Sequence, residues 1–471
     1  MRRLVPIALL AASACAVGPR YERPAVPVPP AYWGVPAGAD AVSIADLPWW
    51  EMFQDAALQG LIREAIANNQ DLRLATARVE QSRALVGVAR ADFFPQVNVS
   101  AGGSYGQQFA KSYSLYSSFG PSGVYNASVG VSWEIDLWGK IRNATDAAKA
   151  SLLATEEGRR GTLITLVAEV AQAYLELREL DVELQIAQSN TVTRQGTLDL
   201  FEKRANGGIG NDLEVNRARS DLAVTAAAIP STERFIALKE NQISVLLGRP
   251  PGPVVRGSEG NLPAPPKLPV GVPAALLERR PDVRGAEDTV MAATSSVGVA
   301  VANRLPALSL QGLIGLAGPQ LPSMFSANGL VWSVGAGLLA PVFEGGRLSA
   351  QEEAARAQLE ETVAAYRQTV LNAYSEVSGA AVSVVKLKQV RLEQEKQVTA
   401  AVAAERLARM RYEQGVSSYL EVLDAQQVTF SAQLQLAQTS RDETVAAVQL
   451  YRALGGGWQE APTDLAAAPQ K

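Results

Sequence analysis

The chain contains no histidine and only one cysteine, Cys15, in 471 residues. It therefore lacks the side chain that most often moves protons near neutral pH and that leads in metal binding. A single cysteine makes neither an internal disulfide nor a thiolate cluster, so no metal site is assigned. Aromatic residues are sparse at 6%, no run of lysine or arginine stands out, and the formal net charge is −4, which leaves no basic surface for nucleic acid. The paired carboxylates Glu352–Glu353 and Glu360–Glu361 have the polar spacing of solvated helix faces, so no catalytic residue is assigned and no enzyme is expected. What the chain has is 47% apolar residues, chiefly Ala, Leu and Val, a mixture that favours long helices.

The first residues read MRRLVPIALLAASACAVGP, with Arg2 and Arg3, an apolar run from Leu4 to Ala12, then Ser13 and Ala14 before Cys15. A basic start, a short apolar core and small residues before a cut describe a secretory signal peptide. The run is too short to span a bilayer. With cysteine directly after the small residues, the segment resembles a bacterial lipoprotein signal. That resemblance implies that Cys15 carries diacylglycerol and an N-acyl chain and begins the mature protein, with no other cofactor. Ala16 follows in place of the aspartate that such lipoproteins use for inner-membrane retention, which points to the outer membrane.

One pattern is written twice. Asp71, Arg73 and Pro95 recur as Asp282, Arg284 and Pro306 at an offset of 211 residues. Glu169–Val170, Gly208, Leu213-Glu214-Val215 and Leu247–Gly248 recur as Glu376–Val377, Gly415, Leu420-Glu421-Val422 and Leu454–Gly455 at an offset of 207. Residues 1–14 read as a signal peptide and 15–47 as a lipidated extended strap. The first repeat is 48–248, with a helix, a strand pair over 95–137 and a long helical hairpin over 140–248. A Pro-rich linker at 249–273 leads to a second repeat, 274–456, with a helix, a strand pair over 304–343 and a hairpin over 346–455; 457–471 reads as a flexible tail.

Inside each repeat the hydrophobic period switches. Val129, Val131, Trp133, Ile135 and Leu137 alternate with Ser128, Gly130, Ser132, Glu134 and Asp136, and Leu330, Trp332, Val334, Ala336 and Leu338 repeat the pattern. A period of two predicts strands with one apolar and one polar face. From Leu163 through Leu166, Val170, Ala173, Leu177, Leu180 and Leu184 to Ala187 the steps are three and four, a heptad seam. Val363, Tyr366, Val370, Ala373, Val377, Ala380, Val384 and Leu387 match it. No proline interrupts Lys140 to Arg204, so one helix of about 100 Å is expected there. Gly208 and Gly415 are expected to reverse the chain, and Asn211 with Glu214 and Ser418 with Glu421 have capping-box spacing. Four strands are too few to close a membrane barrel, which needs at least about eight.

CAVGPRYERP, PWWEMFQDAALQGLI, LPVGVPAALLERRPDVRGAE and RYEQGVSSYLEVLDAQQ resemble the outer-membrane channel subunits of tripartite efflux pumps, the TolC-like proteins, in their lipidated OprM/NodT branch. The resemblance implies an α+β membrane protein. A homotrimer would build a 12-stranded outer-membrane β-barrel, four strands per chain, continuous with a 12-helix periplasmic α-barrel. It further implies export of small solutes, with a periplasmic adaptor (membrane fusion protein) and an inner-membrane transporter of the RND type as partners, and outer-membrane lipid around the barrel. An exit duct for type I secretion and an adaptor-like coiled-coil lipoprotein are the alternatives.

Leu420, Asp424 and Gln427 lie at i, i+4 and i+7, on one helical stripe. In the resembling channels the positions matching Leu420 and Asp424 form an apolar ring and a carboxylate ring at the periplasmic aperture. Gln427 stands where relatives often carry arginine, and Arg217 is the repeat equivalent of Asp424, so a salt link between Asp424 and Arg217 is expected to hold neighbouring tips closed. The tips themselves, Gly208 and Leu213 in one and Gly415 and Leu420 in the other, are the expected docking points for the adaptor.

Overall fold

A computed structural model describes residues 16–33, 55–106, 122–257 and 276–456, with single positions between 44 and 52. The signal segment, Cys15, most of the strap after residue 33, the linker beyond Gly257 and the tail from 457 lie outside the described residues. The first repeat gives α1 (Ala56–Asn68), α2 (Gln70–Ala91), β1 (Gln96–Gly106), β2 (Ser122–Ile135), α3 (Lys140–Asn206) and α4 (Asp212–Leu246). The second gives α5 (Leu276–Arg279), α6 (Pro281–Ala302), β3 (Ala307–Gly318), a one-turn α7 (Leu321–Met324), β4 (Leu330–Leu339), α8 (Arg347–Glu413) and α9 (Tyr419–Ala453). The repeat is literal at the helix ends: α3 and α8 both have 67 residues, and α4 and α9 both have 35. At 1.5 Å per residue the two long helices each extend about 100 Å.

The strands form one antiparallel sheet in the order β1-β2-β3-β4, so the strand pairs of the two repeats are joined through β2 and β3. Register sets the faces. Val99, Val129, Ile314 and Trp332 share one rung, and Val97, Val131, Gly312 and Val334 the next but one. The opposite face carries Gln96, Ser132, Gln311 and Gly335 on a single rung, with Glu134 beside Ser309 and Gly337. The apolar face is open: Trp332 is 72% exposed and Val334 83%. Between β3 and β4 the chain is turned by α7.

Two compact units divide the described chain, and each draws on both repeats. One takes the strap to Ala25 with 78–156 and 285–367; the other takes 26–77, 157–284 and the remainder from 368. In the first unit the strap is clamped by backbone. Val17 donates its N–H to the Trp138 carbonyl at 3.0 Å, and Asn143 Nδ2 donates to the Val17 carbonyl at 3.0 Å. Gly18 has no room for a side chain, since a Cβ there would lie 2.6 Å from the Gly298 Cα. Farther along, Tyr21 and Arg23 both donate to the Glu287 carboxylate, at 2.7 and 2.6 Å.

In the second unit the hairpin roots are capped. The last carbonyls of a helix have no donor within it. At the end of α4, Asn69 Nδ2 donates to the Leu246 carbonyl at 3.0 Å; at the end of α9, Arg280 Nη1 donates to the Ala453 carbonyl at 2.9 Å. These are the same place in the two repeats (69 + 211 = 280; 246 + 207 = 453). Arg280 also pairs with Asp282 at 2.6 Å and Glu376 at 2.8 Å, which accounts for much of the RRPDVRGAE motif, while Arg284 reaches the buried Glu157 at 3.0 Å. The start of the Pro-rich linker is extended, as its prolines require, and Arg256 ties it to Asp181 of α3 and Glu240 of α4.

The seams of the long helices differ. In α8, Tyr366, Val370, Ala373 and Val377 are buried on a narrow line, but in α3 burial spreads from that line to Ile164, Val167, Ala168, Ala171, Tyr174 and Leu175. Part of that wide face is polar. Glu179 of α3 is buried, 3.3 Å from Arg441 of α9. Burial first, then the neighbouring Glu183, pushes its carboxyl up to about 8, because Arg441 is shared with Asp442 at 2.8 Å and offsets this only in part.

Two outcomes are expected. Arg280→Ala and Asn69→Ala should each cost about 1–3 kcal/mol by stranding a buried carbonyl. Thermal midpoints in detergent report this, and wild-type values for both variants would remove the caps from the stability of the hairpins. Because Glu179 holds its proton more tightly when folded than when unfolded, its contribution to stability should fall as pH rises from the ordinary carboxylate range through about 8. Glu179→Gln should flatten that decline; an identical pH profile would exclude Glu179 as its source.

Candidate functional site

Each hairpin turns on a left-handed glycine, Gly208 at φ 75° and Gly415 at φ 74°. The bonds at both are those of a Schellman turn: Gly208 N–H to the Ala205 carbonyl and Ile209 N–H to Arg204, then Gly415 N–H to Tyr412 and Val416 N–H to Arg411. The apolar residues that follow, Ile209 and Val416, are left exposed, as is Leu213 in the next turn. The two caps diverge. Asn211 Oδ1 accepts from the Leu213 N–H at 2.8 Å, one residue short of the position expected from a capping box. Ser418 makes no side-chain cap bond, and Glu421 is turned toward Arg411 of the preceding helix, 3.7 Å away, and not back to the cap.

Behind the turns one apolar cluster draws on both hairpins: Leu198 and Phe201 of α3, Val215 and Ala218 of α4, Tyr419 and Val422 of α9, with Tyr412 of α8 against them. The Phe201 and Tyr419 rings meet edge-on at 4.3 Å, and Tyr412 completes a trio with both at under 6 Å. Arg204 Nη1 donates to the Tyr412 hydroxyl at 2.7 Å. Burial pushes the Tyr419 hydroxyl up to about 12, so it stays neutral.

On the other side of α9, Leu420, Asp424 and Gln427 are all exposed and form the expected continuous stripe. Arg217 is exposed as well, and within the chain no ion pair joins it to Asp424 among the described residues. The bond found in this region is one the sequence did not signal: Gln427 Oε1 accepts from Nη2 of Arg194, a buried arginine of α3 that pairs with Asp221 of α4. Nothing in the local sequence SNTVTRQGTLDL separates Arg194 from a solvated helix charge; its burial depends on α9. Among the described residues there is no cluster of His, Cys, Asp or Glu that would hold a metal. Nor does any described helix have the length and apolarity to cross a membrane.

Residues 61–249 and 272–456 each match the family described as outer membrane efflux protein, one match to each repeat. The chain is similar to the cation efflux system protein CusC of Escherichia coli, with 32% identity over 473 residues, covering 97% of this chain and 99% of that one. It is similar also to the toluene efflux pump outer membrane protein TtgI of Pseudomonas putida, with 35% identity over 473 residues, covering 97% and 98%. Among solved structures it is similar to the outer-membrane channel OprN at a TM-score of 0.85 and 33% identity, covering 95% of this chain and 100% of that chain. The chain belongs to the outer membrane efflux protein family and is a channel subunit of the TolC-like fold, resident in the outer membrane.

Proposed function

We propose that three copies of this chain close into one outer-membrane duct through which small toxic solutes leave the periplasm, delivered by a periplasmic adaptor and an RND-type inner-membrane transporter. The sheet carries the reading. Its apolar face is exposed, and within the described residues the outer edges of β1 and β4 have no partner. Three such sheets supply twelve strands, enough to close where four are not. The polar face, with Ser132, Gln311 and Glu134, then lines the duct.

Lipidation of Cys15 fits the clamp on the strap. The bonds of Val17 to Trp138 and Asn143 begin two residues after Cys15 and lie just beyond the end of β2, so acyl chains there would enter the bilayer at the foot of the sheet. At the other end, Asp424 and Leu420 would narrow the periplasmic mouth as rings. Three neighbouring carboxylates repel one another and favour cations. The exposed tip residues around Gly208, Leu213, Gly415 and Leu420 would receive the adaptor, whose own contacts must then be partly apolar.

Single-channel recording tests the aperture: Asp424→Ala should conduct more than wild type and prefer cations less, and unchanged traces would reject the ring. The anchor is tested with Cys15→Ala behind a cleavable signal peptide, which should still give outer-membrane trimers that transport, at lower efficiency. Loss of all assembly would show that the lipid is required to build the channel and does more than tether it.

A further inference from the structure

We propose that Arg194 is a positioning residue of the aperture, a bolt behind α9 that holds the Leu420–Asp424–Gln427 stripe against the first hairpin and keeps the mouth narrow. The proposal rests on the reading of that stripe as the aperture.

The side chain of Arg194 is 2% exposed, and its guanidinium engages two other helices at once. It pairs with the Asp221 carboxylate of α4 and donates to the Asp221 carbonyl at 3.4 Å. Toward α9 it donates to Gln427 Oε1 at 3.4 Å and lies over the Phe430 ring at 5.9 Å. A buried ion pair is no more stabilising than well-packed apolar residues of similar volume, so stability alone does not explain its presence. The second repeat bears this out: the equivalents of Arg194 and Asp221 are Ala401 and Val428 (194 + 207; 221 + 207), and the same helix framework forms around them. The pair is therefore dispensable to the fold plan and specific to the place where the first hairpin meets the stripe.

The cluster is also under-paired. Arg194 Nε and Asp221 Oδ2 are buried without a hydrogen-bond partner. A polar network left partly unsatisfied in a low-dielectric interior costs free energy that a shift of one helix recovers by admitting water. On this proposal α9 has two arrangements, bolted and released, and Gln427 links Arg194 to the stripe in the first of them.

The full-length trimer in planar bilayers provides the test. Gln427→Leu removes the acceptor and leaves the ion pair intact. Arg194→Met with Asp221→Val removes the pair without leaving a lone buried charge. Both should raise conductance several-fold at a wild-type thermal midpoint, and Arg194→Lys, which keeps the charge on Asp221 but not the forked reach to Gln427, should fall between. Wild-type conductance in Gln427→Leu and in the double variant overturns the bolt. Should the double variant fail to assemble, Gln427→Leu decides alone. Asp424→Asn separates the underlying reading: an unchanged cation preference there rejects the aperture itself, whereas a lost preference alongside unaltered bolt variants rejects Arg194 only.

Discussion

A strand edge in hydrocarbon has no water to bond, and each unmet backbone group there costs several kcal/mol. The outer edges of β1 and β4 are two such edges, and within one chain they stay open among the described residues. A single chain is therefore not a viable membrane unit, and the sheet must be completed by copies of itself. The helices inherit that arrangement because the joint is stiff. Asp136, just past β2, accepts from the Ile141 and Arg142 N–H groups at 3.1 and 3.0 Å and so caps α3 across the short joint between Ile135 and Lys140. Whatever fixes the strands around a pore fixes the first turns of α3 with them.

The repeat governs where elements begin and end, but not what packs with what. Both compact units mix the two copies, and the wide buried face of α3 has no match on its partner α8. A duplication of this kind reproduces lengths and turns, while the interior is free to diverge. Its clearest divergence is polar: Glu179 and Arg194 of α3 are buried, and their equivalents in α8 are Lys386 and Ala401.

Most of the fold was legible because it rests on local rules. Alternation along Val129 to Ile135 marks a strand, the lack of proline from Lys140 to Arg204 permits a long helix, and glycines at 208 and 415 permit left-handed turns. The stripe of Leu420, Asp424 and Gln427 was legible for the same reason, being a spacing on one helix. Arg194 and Asp221 were not, because their partners are 27 and 233 residues away from Arg194 and a charged residue on a helix looks solvated until a neighbour covers it. The caps mark the limit of local spacing. Asn211 and Ser418 stand at equivalent places with Glu three residues on, yet only the amide accepts a bond from the helix, and the hydroxyl of the serine next door, Ser417, is buried without a partner.

At the hairpin roots, an uncharged amide in one copy and a guanidinium in the other answer the same two carbonyls, those of Leu246 and Ala453. The carboxamide needs no counter-ion, its oxygen accepting from the Leu72 N–H at 2.9 Å, whereas the guanidinium brought in Asp282 and Glu376. What the duplication handed down at this point is thus a vacancy for one proton donor, and not a residue type. Sequence identity is a poor guide to such inheritance, since two side chains with no chemistry in common beyond an N–H satisfy it equally.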